Sequence, residues 1–150
     1  MPTVDFNRTL TVPAGETAVW STITDVATVA GWVSIVGQVE ELDHLASYRA
    51  VLSDRMGPFK LGAELSLKVT QLSPPQRIGF TAEGEDRQIG SRIKVQALMA
   101  LLPVGEETMV EVQGSYEVTG RVATLGASMI RTKGEKILDE FFTALAHAFE

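Results

Sequence analysis

His44 and His147 are the only histidines in the chain, and histidine is the usual general base near neutral pH. His44, in "LDHLASY", falls in a hairpin loop, and His147 falls beside the polar side of the C-terminal segment. They lie far apart in the chain and neither has a partner at metal-ligand spacing, so both read as surface residues. The carboxylate pairs Glu40–Glu41, Glu106–Glu107 and Asp139–Glu140 are adjacent in sequence, and adjacent side chains diverge in helices and strands. They read as solvated turns and helix faces rather than acid/base dyads. Without cysteine, disulfides, thiolate metal sites and cysteine nucleophiles are excluded. No G-x-S-x-G occurs, and "GPFKLG" lies between two strand-like runs, as a hairpin turn rather than a phosphate loop. These residues predict neither a metal nor a cofactor, and they supply few acid/base groups for an enzyme.

Polar residues set inside apolar patterns stand out instead. Arg8 falls in phase with Phe6 and Leu10 in an alternating run, where it is either paired internally or placed at a sheet edge. Lys133 lies between Met129 and Ile137, its ammonium either reaching past an apolar stripe to water or facing a cavity. With Tyr48 and Tyr116 they form the candidates for orienting a ligand head group, since apolar cavities use a few polar groups in that way.

The elements that must position these residues follow from periodicity. "TVDFNRTLTV" alternates as a half-buried strand. Pro13 then suits a helix start, and Asp25 can cap a second short helix running through Trp32. After Gly37 the period returns to two, through "YRAVLSDRM", "AELSLKVTQL", "RIGFTAEG", "SRIKVQALMALL" and "TMVEVQGSYEV". With "SIVGQVEEL" these make about six strands besides the first. Their short Gly- and Pro-rich joints suit antiparallel hairpins. Leu65, Leu67, Val69, Ile78, Phe80, Ala82, Ile93, Val95, Ala97, Met99, Leu101, Val110, Val112, Tyr116 and Val118 share the apolar face, which needs a cover.

"LGASMIRTKGEKILDEFFTALAHAFE" supplies that cover. A helix from about Arg121 to Phe149 would span roughly 40 Å, with Arg131–Glu135 and Lys136–Glu140 as i,i+4 pairs on its polar side. Gly126 and Gly134 share the inward row of Ile130 and Leu138, and a mid-helix glycine costs about 1 kcal/mol. Close approach of the sheet, or of a ligand, explains the missing side chains.

Composition sets the outer bounds. A chain of 150 residues suits one domain, 1–150, with a core of its own. A formal net charge of −6 argues against nucleic acid. No signal peptide and no apolar run long enough to span a membrane is visible, so a cytoplasmic protein is expected.

A strand, two short helices, a six-stranded antiparallel run and a long C-terminal helix resemble the START-like (SRPBCC) superfamily. Within it the chain is most similar to the G-subunit family of carbon monoxide dehydrogenase. "VPAGETAVWSTITD", "YRAVLSDRMGPFKLGAELSLKV" and "VTGRVATLGASMI…FF" carry the resemblance, which covers essentially the whole chain. Members commonly carry an "IPG" turn where this chain reads "WVSIVGQVEEL", with Trp32 and Val36 at that rim. Some members continue into a membrane-associating tail, which this sequence does not show. The resemblance implies an α+β helix-grip fold: a seven-stranded antiparallel sheet curved around the C-terminal helix, with an apolar cavity between them. It also implies service to a molybdenum-containing carbon monoxide dehydrogenase or related hydroxylase, by carrying a quinone or other lipid or by recruitment to the inner membrane face. A polyketide cyclase or dehydratase is the rival, and an interaction module with a filled core is a third reading. The cavity is expected around Met129, Lys133, Gly134 and Ile137, against Phe80, Met99 and Tyr116, with Trp32 near the entrance. Oligomeric state is open.

Overall fold

Alternation of Val, Phe and Leu with Thr, Asp and Asn makes Thr3–Val12 an edge strand, β1. The structure, a computed structural model, describes residues 3–150. Two short helices follow, α1 (Glu16–Ile23) and α2 (Val26–Ala30). α1 starts after Gly15 rather than at Pro13. The Asp25 carboxylate accepts the Thr28 amide at 3.3 Å, the expected cap. However, α2 ends at Ala30 against Gly31, so Trp32 lies in the following turn and not on the helix.

The remaining strands are β2 (Val36–Asp43), β3 (Ser47–Met56), β4 (Phe59–Ser73), β5 (Arg77–Asp86), β6 (Ser91–Val104) and β7 (Glu107–Gly120). They form one antiparallel sheet in the order β1-β7-β6-β5-β4-β3-β2. From β2 to β7 each strand pairs with the next, as short turns dictate. α1 and α2 carry the chain between β1 and β2, the two outer strands. The predicted apolar residues do share one face, in register across the strands: Arg8 opposite Val112, Met99 opposite Val112, Ile78 opposite Met99.

The C-terminal cover differs from expectation in one respect. Instead of one helix from Arg121, the chain makes a 3-10 turn (Arg121–Leu125) and then α3 (Ala127–Ala148). Gly120 (φ 88°) and Gly126 (φ 97°) bracket the turn in backbone conformations that side chains other than glycine rarely adopt. Gly126 therefore re-aims the chain and does not lie on the inward row of the helix. α3 is about 33 Å long, and Ile130, Phe142 and Leu145 are its buried residues.

The core is divided. One cluster joins Val12, Val19, Ile23, Ile78, Met99, Leu101, Val110 and Val112 to Phe142 and Leu145. The other joins Leu52, Leu61, Ala63, Leu65, Ala82, Val118 and Val122 to Ile130. The sheet's inner face is thus sealed at both ends of α3 by different parts of the sequence.

Candidate functional site

Between the two clusters the inner face is covered less completely. The register lines up Phe6, Gly114, Ala97, Phe80 and Val69 in one row across five strands. All five except Gly114 carry apolar side chains, and none is fully buried. In the adjoining row Tyr116, Val95 and Leu67 are also only partly buried, although Ala82 between them is closed off. Farther along the same strands exposure falls to 0% at Val110 and 5% at Leu101 on one side, and to 0% at Ala63 on the other. Phe80 and Ala97 belong to neither cluster. An apolar strip that packing buries only in part offers contact surface to a small apolar molecule.

Tyr116 bridges this strip to α3. Its hydroxyl donates to the Ile130 carbonyl at 3.2 Å, and its ring lies 6.2 Å from that of Phe6. Gly134, one turn after Ile130, is the reason the ring fits. A Cβ there would collide with the Tyr116 hydroxyl and lie 2.7 Å from Cζ. Of the two sequence explanations for this glycine, the structure displays close approach of the sheet, through a single side chain. Burial raises the Tyr116 pKa; the nearby Arg131 lowers it and Glu135 raises it, so the hydroxyl remains a donor at neutral pH.

Charged residues tie α3 down on both flanks. Asp54 lies in phase with Tyr48, Ala50 and Leu52 on β3, hence on the inner face, where it pairs with Lys133. Burial pushes the Asp54 carboxyl up, but the Lys133 hydrogen bond, the Arg55 amide at 2.8 Å and the charges of Lys133 and Lys136 hold it below its ordinary value. On the other flank Arg8 reaches from β1 to Asp139 at 2.6 Å, its guanidinium 5.7 Å above the Phe142 ring. Glu140 diverges from Asp139 as adjacent helical residues must, and accepts the Ser34 amide at 2.7 Å and hydroxyl at 2.8 Å. Those two bonds lower its pKa. The Trp32 ring lies 5.7 Å from that of Phe141, tilted by 58°, beside this clasp.

The eight expected site residues are therefore dispersed. Phe80 and Tyr116 lie in the partly buried rows, Gly134 meets Tyr116 from α3, and Ile137 packs against the second cluster. Lys133 stands at the flank of α3, paired rather than free. Met99 lies inside the closed cluster, 8% exposed, and Trp32 packs on the outside of that cluster. Met129 is 48% exposed, because α3 begins only at Ala127 and its first turn presents Ile130, not Met129, to the sheet. Tyr48 is buried and its hydroxyl accepts the Leu45 amide at 2.8 Å, closing the β2–β3 turn. Asp139 and Glu140 are not the freely solvated pair expected, since both hold partners. Asp54 and Ser34 were missed; in-phase placement with Tyr48, Ala50 and Leu52 was a readable sign for Asp54.

His44 and His147 are exposed, each beside a glutamate, at 3.2 and 3.0 Å. Among the described residues no group of three metal-ligating side chains comes together, and no helix is long and apolar enough to cross a membrane. Two open depressions are lined mostly by outward-facing polar side chains of the sheet, including Gln96 and Thr81 in both. Of the expected residues they touch only Phe80 and Tyr116.

The family model for the carbon monoxide dehydrogenase G-subunit (CoxG) matches residues 9–149. No curated protein matches the chain. Among solved structures, a conserved protein from Geobacillus kaustophilus superposes with a TM-score of 0.85 at 20% identity, over 97% of this chain and 95% of that one. A START superfamily protein from Mycobacterium smegmatis gives 0.70 at 16%, over 97% and 96%. Zhui aromatase/cyclase from a Streptomyces species gives 0.65 at 16%, over 99% and 92%. At such identities the likeness establishes the fold, which is START-like.

Proposed function

This chain belongs to the CoxG family, that of the carbon monoxide dehydrogenase G-subunit, and from that premise we propose a non-enzymatic role: binding an apolar small molecule in the space between sheet and α3. The observation that carries the reading is the apolar strip of Phe80, Ala97, Val69, Leu67 and Val95, only partly buried between two closed clusters, with Val69 packed against one and Leu67 and Val95 against the other. Burying apolar surface of a ligand against it is favourable at about 25 cal/mol per Å². The strip carries a tyrosine hydroxyl and no histidine or carboxylate, which weighs against the cyclase chemistry of the rival reading. The family points to a molybdenum-containing carbon monoxide dehydrogenase as the enzyme served, with a quinone or similar lipid as cargo. Such service belongs at the cytoplasmic face of the inner membrane.

Native mass spectrometry of protein purified from its own cells, followed by organic extraction, tests this directly. The expected result is a mass increment that disappears on extraction and reappears as an apolar compound. An unliganded mass, together with no uptake of a lipophilic dye, would leave the filled-core interaction module standing.

A further inference from the structure

Two side chains bring charge from the inner face of the sheet to α3, one near each edge: Arg8 on β1 and Asp54 on β3. Each meets an opposite charge on α3, Asp139 and Lys133 respectively, so the polarity is reversed between the flanks and the sum is zero. The Lys133–Asp54 pair is three-quarters buried, with side chains 23% and 26% exposed. Each of these two cations thus already faces a carboxylate. The remaining polar group, the Tyr116 hydroxyl, already donates its proton to Ile130 and retains only lone pairs. Arg131 and Glu135, the charges that act on it, are exposed and of opposite sign.

We propose that Asp54 and Asp139 are specificity-determining residues: by neutralising Lys133 and Arg8 across the sheet–helix gap, they restrict the space to uncharged ligands. This rests on the binding reading above and narrows it. A carboxylate or phosphate head group brought against this apolar strip loses its hydration and finds Lys133 and Arg8 already facing carboxylates. A neutral ligand incurs no such penalty, and a hydroxyl or N–H on it can donate to Tyr116.

The test is displacement of Nile red, a neutral dye, by decan-1-ol and by decanoate at about pH 8, where the acid is ionised. Wild-type protein is expected to release the dye at an alcohol concentration at least about tenfold below that of decanoate, a ratio worth about 1.4 kcal/mol. Asp54→Asn frees Lys133 and should improve decanoate binding about fivefold or more while leaving the alcohol within about twofold. Adding Lys133→Met should abolish that gain. Asp139→Asn, at a carboxylate 69% exposed and so tolerant of change, should free Arg8 and act in the same direction. Equal competition by decanoate and decanol in the wild type overturns the proposal, and this arm needs no variant. So does an unchanged decanoate affinity in both Asn variants that fold. Failure of the wild type to take up Nile red overturns the binding reading itself.

Discussion

Alanine in place of Gly134 should destabilise the protein, although glycine in a helix interior is normally improved by alanine. The helix itself gains about 1 kcal/mol from the change. Against this, the new Cβ would stand 2.7 Å from Tyr116 Cζ and 3.0 Å from Cε1, closer still to the hydroxyl. Overpacking of this kind costs about 1–3 kcal/mol. Moving the ring also breaks the Tyr116–Ile130 hydrogen bond, about 0.5–1.5 kcal/mol. The balance is a loss of about 0.5–3.5 kcal/mol, which for a chain of this size lowers Tm by about 2–4 °C per kcal/mol. The decisive control is Tyr116→Leu, which removes the ring that Gly134 accommodates. In that background Gly134→Ala should become neutral or stabilising, by up to about 1 kcal/mol. Thermal and urea unfolding of the four proteins gives the coupling energy directly. A Gly134→Ala variant more stable than wild type, or the same increment in both backgrounds, would refute the account of Tyr116 as the reason for the glycine.

Asp54 and Glu140 have folded pKa values below their ordinary ones, so the stability they contribute is present above about pH 4.5 and lost as pH falls through the lowered values. The urea concentration needed for unfolding should therefore fall as the solution is acidified below about pH 4.5. Asp54→Asn with Glu140→Gln should flatten that dependence, and an unaltered slope would count against both assignments. Truncating Phe142, 7% exposed, to alanine should cost about 3–5 kcal/mol and weaken the hold of Arg8 as well. Removal of the chain from Leu138 onward takes away Phe142 and Leu145 together and should abolish cooperative unfolding; a fragment with an unchanged transition would contradict the packing described. Elemental analysis of purified protein should find no stoichiometric zinc or iron, since no ligand cluster exists among the described residues.

Strand alternation was sufficient to place nearly every inner-face residue, because a half-buried sheet leaves a period-two record that survives without tertiary information. Val4, Phe6, Leu10 and Val12 on β1, and Ile93 through Leu101 on β6, were legible in this way. So was the amphipathic helix, but not its start. A glycine inside an apolar row reads equally as a helical residue or a break, and only the positive φ of Gly126 decides for the break. The same ambiguity hid the purpose of Gly134: its neighbour Tyr116 lies on β7, and local pattern carries no record of which distant side chain fills a gap. Charge partners were equally out of reach. Arg8 with Asp139 joins residues 131 positions apart, and Lys133 with Asp54 joins α3 to β3. Sequence alone established that Arg8 and Lys133 stood in apolar company, and left open whether each met a partner, an edge or water. Which partner each one found, and hence which part of the inner face stayed apolar and only partly buried, was decided by how α3 lies across the sheet.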